Sequence, residues 1–137
     1  MGKEPYENPE TLGIRIFLVR HGETDFNLTH RFQGRIDIPL NKEGKNQAQA
    51  LALALKDEAL TAVYSSPLLR AMETARSIIA FHPSTPFFEE EGFIEMDLGE
   101  LDGMQVGDWI SQHQEFYKTW RTTPSRIKMP GGESLGE

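Results

Sequence analysis

Large apolar residues crowd the stretch from Ile14 to Val19, broken only by Arg15 and without the alternation of a half-exposed strand. A run of this kind predicts a strand buried on both faces of a parallel sheet. It ends abruptly at the polar residues Arg20-His21-Gly22. From Lys42 to about Leu55 the spacing becomes helical, with Ala48, Leu51, Ala52 and Leu55 on one stripe, Asn41 as N-cap, and Gly44 weakening the first turn. Ala62 to Ser65 predicts a second short strand. Ser66-Pro67 then opens a helix reaching about Phe81, because proline suits the first helical position. Phe87 to Glu89, after Pro83 and Pro86, predicts a third strand.

The intervening segments carry turn chemistry. Thr24 to Leu40, with Gly34 and Pro39, reads as a long loop with one helical turn near Asp25. Gly99 to Gly107 is loop, and Asp108 to Trp120 predicts a single helix presenting Trp109, Phe116 and Trp120. Pro124 and Pro130-Gly131-Gly132 break it, and Glu133 to Glu137 begins a further element. Strands and helices in this order imply right-handed parallel crossovers, hence an α/β class domain of three α/β/α layers with a mainly parallel sheet. A chain of 137 residues holds one core. Residues 1–13 are expected to be a flexible lead-in and 14–137 the domain.

Composition narrows the function. The formal net charge of −7 opposes non-specific binding to nucleic acid or anionic membrane, and it mildly repels phosphorylated substrates too. Any phosphate site must therefore rest on a few concentrated arginines and backbone amides. With no cysteine in the chain, thiolate nucleophiles, thiolate metal sites and disulfides are excluded. A cytoplasmic location is expected. No pair of histidines has the spacing of a metal-binding helix, so no metal and no cofactor is predicted.

Two places carry chemistry. Arg20-His21-Gly22-Glu23-Thr24 follows a predicted parallel strand, and ligands gather at the carboxyl ends of such strands. A neutral imidazole is a competent nucleophile near pH 7, and an arginine fork can clamp phosphate oxygens. A single histidine at a strand end is equally well a solvated side chain. The second place is Arg70, in the first turn of the helix that follows Ser65-Ser66-Pro67. There helix amides and a guanidinium could share an anion, although on its own Arg70 is an ordinary solvated helix residue.

Taken in order, Arg20-His21-Gly22-Glu23-Thr24, Asn27, Phe32-Gln33-Gly34 with Asp37, Pro39-Leu40 and Gly44, and then Ser65 to Ala75 closely resemble the successive signatures of the histidine phosphatase superfamily, the phosphoglycerate mutase-like proteins. The resemblance extends from about Ile14 to Leu135. It implies that Arg20, His21 and Arg70 line a phosphate pocket, with His21 the nucleophile and Asn27 a polar contact. Thr24 and the Gln33-Gly34 backbone would lie near the substrate or shape the loop. Phe93 to Gly103 is similar to the family's acidic segment, whose first glutamate, here Glu95, would protonate the leaving oxygen. That role needs a raised carboxyl pKa, which partial burial between Ile94 and Met96 would supply. Glu100 and Asp102 are expected to be solvated loop carboxylates, and Pro130 to Ser134 is similar to a loop beside the pocket.

The resemblance implies a phosphomonoester hydrolase of the small phosphatase branch, similar to α-ribazole phosphatases, acting on a small phosphorylated metabolite. Phosphoglycerate mutase-type transfer is the alternative within the family, and a non-catalytic phosphate-binding fragment the alternative outside it. Relatives continue through a helix and a strand to a second active-site histidine. This sequence ends at Glu137, and none of His30, His82 and His113 has the matching context. The chain is therefore expected to be C-terminally truncated and impaired, by about 10² to 10³ in rate for one lost charge-stabilising donor. An exposed sheet edge that favours self-association is expected as well.

Overall fold

The structure, a computed structural model, describes residues 13–137. All but the last residue of the expected lead-in lies outside the described residues.

Helix α1 spans Asp25–Leu28 and helix α2 spans Lys42–Leu55. The second matches its sequence pattern because its cap is local: Asn41 Oδ1 accepts the Gly44 amide at 2.8 Å. Gly44, Ala48 and Ala52 are buried, and Leu51 and Leu55 are half-buried beside them. Strand β1, Val63–Ser65, leads into helix α3, Leu69–Ile79. This helix starts two residues later than Pro67 predicts. Leu68, at its N-cap, has no capping side chain, and the cap comes from a distant residue, with Asp37 Oδ1 accepting the Leu69 amide at 2.7 Å. Helices α2 and α3 pack along one another. The alanines of the first allow close approach, and Met72, Ala75 and Ile78 of the second are buried.

Strand β2, Phe87–Glu89, pairs parallel with β1 in the register Val63 with Phe87, Tyr64 with Phe88 and Ser65 with Glu89. Ser65 is buried, and helix α3 packs against β1. Tyr64 and Phe88 stack at 5.1 Å and remain exposed.

The predicted strand from Ile14 to Val19 does not form. No backbone hydrogen bond joins residues 13–20 to another described residue, and Ile14, Ile16 and Leu18 are 90%, 79% and 98% exposed. A doubly buried strand needs ladders on its edges. The two described strands pair only with each other, and neither outer edge is bonded to this apolar run.

Two helices replace the expected one over Asp108 to Trp120: α4, Val106–Gln112, and α5, Gln114–Thr122. They part at His113, whose backbone leaves the helical region and whose ring stacks on Trp109 at 4.5 Å. The bend lets aromatic residues from both helices meet Phe32, with Trp109 edge-on at 5.7 Å and Trp120 stacked at 5.9 Å. Leu98, Leu101, Trp109 and Met129 form the buried centre of this second cluster. Residues 133–137 make a turn and one isolated bridge, Lys128 to Ser134, and no new helix or strand. Among the described residues no helix is long and apolar enough to cross a membrane.

Candidate functional site

His21 lies between the apolar run and α1, and the two long helices fix it there. The Gly22 amide donates to Thr74 Oγ1 at 3.1 Å, and the Thr74 hydroxyl donates in turn to the Arg70 carbonyl at 2.8 Å. From α2, Gln47 Oε1 accepts the Glu23 amide at 2.9 Å. Asn41 does more than cap, since its backbone amide and side-chain NH2 both donate to Glu23, at 3.0 and 2.8 Å.

The His21 ring is half-buried, with Nδ1 2.7 Å from the Gly22 carbonyl. A carbonyl only accepts, so Nδ1 carries the hydrogen and the lone pair resides on Nε2. Burial lowers the pKa of the ring. The bond to Gly22 opposes this, the charges of Arg70 and Arg20 lower it further, and Glu95 opposes them. The net effect is a neutral imidazole at neutral pH.

Arg20 is exposed and shares with His21 a cavity of about 100 Å³, lined also by Gly22, Gln47, Ala48, Leu51 and Thr74. Arg70 is 2% exposed and does not line that cavity. Its guanidinium donates to the Gly34 carbonyl at 2.7 Å and the Ile36 carbonyl at 3.3 Å. Burial lowers its pKa, opposed by Glu95, Asp102 and Asp37. Arg20 and His21 thus meet in one cavity, while Arg70 acts on His21 through its charge and anchors the loop with its fork. A larger groove of about 340 Å³ along α4 and α5, between Ile110 and Thr122, shares no residue with the His21 cavity.

Thr24 is fully buried at the start of α1. It forms a reciprocal cap with Asn27, in which Asn27 Oδ1 accepts the Thr24 amide at 3.0 Å and the Asn27 amide donates to Thr24 Oγ1 at 3.3 Å. The Thr24 hydroxyl also bonds the Gln33 side chain. Gly34 is buried, close against Leu98 and Asp102.

Asp102 is not the solvated carboxylate expected from the sequence. Half-buried, it accepts the Gly34 amide at 2.8 Å and the Ile36 amide at 2.6 Å. The loop from Gly34 to Ile36 is therefore held by its amides from Asp102 and by its carbonyls from Arg70. Glu95 departs from expectation in the other sense. It is exposed, without the burial anticipated between Ile94 and Met96, and its Oε1 accepts the Met96 amide at 2.9 Å. Its charge nevertheless bears on both His21 and Arg70.

Thr74, Asn41 and Asp102 escape a reading of the sequence as supports of the site. Thr74 had a signal, standing one helical turn after Arg70 on the same face. Asp102 had none, because its partners are backbone amides 68 and 66 residues away. The other histidines serve elsewhere. His82 is buried with Nε2 3.1 Å from the Leu55 carbonyl, His113 bonds the Trp109 carbonyl through Nδ1, and His30 is exposed.

The model of the histidine phosphatase superfamily, branch 1, matches residues 16–137. The chain belongs to this superfamily. Phosphoserine phosphatase 1 of Hydrogenobacter thermophilus is 38% identical over 122 residues, covering 89% of this chain and 57% of that protein. Phosphoglycerate mutase-like protein 4 of Arabidopsis thaliana is 34% identical over 137 residues, covering 98% and 60%. Among solved structures, a mycobacterial glucosyl-3-phosphoglycerate phosphatase in complex with VO3 aligns with a TM-score of 0.77 at 29% identity, covering 83% of this chain and 54% of that one. A putative α-ribazole-5′-P phosphatase from Escherichia coli aligns at 0.75 and 28%, covering 86% and 58%. This histidine phosphatase chain thus has the α/β fold that its sequence predicts, and it spans little more than half the length of these relatives.

Proposed function

We propose that this histidine phosphatase hydrolyses small phosphomonoesters through a phosphohistidine on His21. Nε2 forms a bond to phosphorus while the ester P–O bond breaks, and Glu95 gives its proton to the departing alkoxide oxygen. Water then gives a proton to the Glu95 carboxylate as its oxygen bonds to phosphorus, the N–P bond breaks with its electron pair returning to Nε2, and inorganic phosphate leaves. The observation that carries this reading is the 2.7 Å contact of Nδ1 with the Gly22 carbonyl, which leaves the Nε2 lone pair free on a ring held neutral by burial and two arginines.

Arg20, from the cavity it shares with His21, holds the equatorial phosphoryl oxygens, and Arg70, buried outside that cavity, supports them with its positive charge and with the guanidinium donors that its two loop carbonyls leave unspent. Asn27 adds a polar contact, since it spends Oδ1 on Thr24 and its side-chain NH2 is bonded to no described residue. Thr24, Gln33 and the Gly34 backbone set the loop beside the substrate. His30, His82 and His113 are engaged or exposed elsewhere, so within these residues no second imidazole assists and turnover by the chain alone is slow. The proposed setting is the cytoplasm, with neither nucleic acid nor membrane as partner.

Hydrolysis is favoured over mutase transfer because the region from Gly99 to Pro130 is similar to small phosphatases, and relatives named phosphoserine phosphatase match the chain. A relative named phosphoglycerate mutase also matches, which keeps the second reading specific. Supplying phosphoserine and phosphoglycerates in parallel decides between them. Release of inorganic phosphate that disappears in His21→Ala supports the proposal, whereas interconversion of phosphoglycerates without release contradicts it.

A further inference from the structure

Glu95 has neither helix nor strand to orient it and lies at the surface between two short 3-10 turns, Glu91–Phe93 and Gly99–Leu101. A proton donor must be held within hydrogen-bond reach of the leaving oxygen, so an exposed loop carboxyl needs an external brace. The structure contains one. Arg35 Nε donates to the Glu95 carbonyl at 3.0 Å, and Arg35 Nη2 bonds Glu133 Oε1 at 2.7 Å. The other Glu133 oxygen accepts the Asp97 amide at 2.9 Å, and the Glu133 amide returns a bond to the Asp97 carbonyl at 2.9 Å. The backbone is therefore pinned on both sides of Met96.

The far end of the brace is equally fixed. Arg35 stands between Gly34 and Ile36, whose carbonyls are bonded by Arg70 and whose amides are bonded by Asp102. Hydrogen bonds at either end of the short Gly34 to Ile36 segment thus link the arginine whose charge reaches His21 to the backbone of Glu95.

We infer that Arg35, with Glu133, is a positioning residue that holds Glu95 in register with the phosphoryl group. The inference rests on Glu95 being the proton donor. Its consequence is selective. An alkyl ester must receive a proton as its P–O bond breaks, whereas a p-nitrophenyl ester departs as a stabilised phenolate. Loss of a positioned acid therefore falls on the alkyl ester.

The test compares the rate at which the 137-residue chain is phosphorylated by an alkyl phosphate and by p-nitrophenyl phosphate, for the parent chain, Arg35→Met, Glu133→Gln, Glu95→Gln and the double variant Arg35→Met/Glu95→Gln. General acids contribute about 10² to 10⁴ in rate. Arg35→Met is expected to lower the alkyl-to-aryl rate ratio at least tenfold, Glu133→Gln to lower it less, and Arg35→Met to add nothing in the Glu95→Gln background. Should Glu95→Gln shift the ratio while Arg35→Met and Glu133→Gln leave it alone or slow both esters equally, the positioning role is overturned and the acid stands. Should Glu95→Gln not shift the ratio, or should neither ester transfer its phosphoryl group, the proposed function itself fails and this inference goes with it.

Discussion

Gly22 and Gly44 meet so closely that a Cβ built on Gly22 would lie 2.4 Å from the Gly44 carbonyl oxygen, and one built on Gly44 would lie 2.0 Å from the Glu23 carbonyl oxygen. The loop carrying His21 thus rests directly on the first turn of α2. In an unobstructed helix Gly→Ala stabilises, but here backbone is the obstacle and cannot swing aside. Gly44→Ala is expected to destabilise by about 1–3 kcal/mol, read from the denaturant midpoint. Gly107 in α4 meets nothing within 4 Å, so Gly107→Ala should stabilise by about 0.5–1 kcal/mol. Equal effects of the two changes would contradict the contact.

Asp102→Ala should destabilise by about 1–3 kcal/mol, because it strands two backbone amides. Glu100→Ala, two residues away at an exposed position, should change stability by less than about 0.5 kcal/mol. Thermal melts of the two variants side by side check this contrast.

The two halves of the candidate site differ in how legible they are. Helix α2 and both described strands follow from local pattern, because Asn41 caps its own helix and the apolar runs are short and bounded by turns. Positions 20, 21 and 70 are legible as motif. What the sequence hides is whatever depends on distant partners. Leu69 starts α3 because Asp37 reaches it, Asp102 is drawn to amides of another loop, and Arg35 meets Glu133 across 98 residues. The run from Ile14 to Val19 shows the converse. Its composition specifies a strand, but strand formation needs a hydrogen-bonded neighbour, and no described residue supplies one.

That run also predicts behaviour in solution. Contiguous exposed apolar side chains beside an unladdered backbone favour association. Ile16→Thr combined with Leu18→Thr should lower the weight-average mass seen by sedimentation at high protein concentration. An unchanged distribution would remove this segment as the cause.

The lowered pKa of His21 fixes the direction of two pH effects. The ring should titrate below its ordinary value of 6.5 in an NMR titration, and Arg20→Ala should move the midpoint upward by removing a lowering charge. Between the folded and unfolded values the unfolded chain binds more protons. The stabilisation is therefore complete above about pH 6.5 and is lost as pH falls through the folded value. A midpoint above 6.5 would contradict the burial and charges assigned to the site.

The most direct test is whether His21 itself takes up phosphorus. The folded chain, incubated with a radiolabelled activated phosphate ester and quenched in base, should carry an acid-labile, base-stable label. Peptide mapping should place it at His21, and His21→Ala should abolish it. A folded chain that never acquires the label, or acquires it at another residue, would contradict the account.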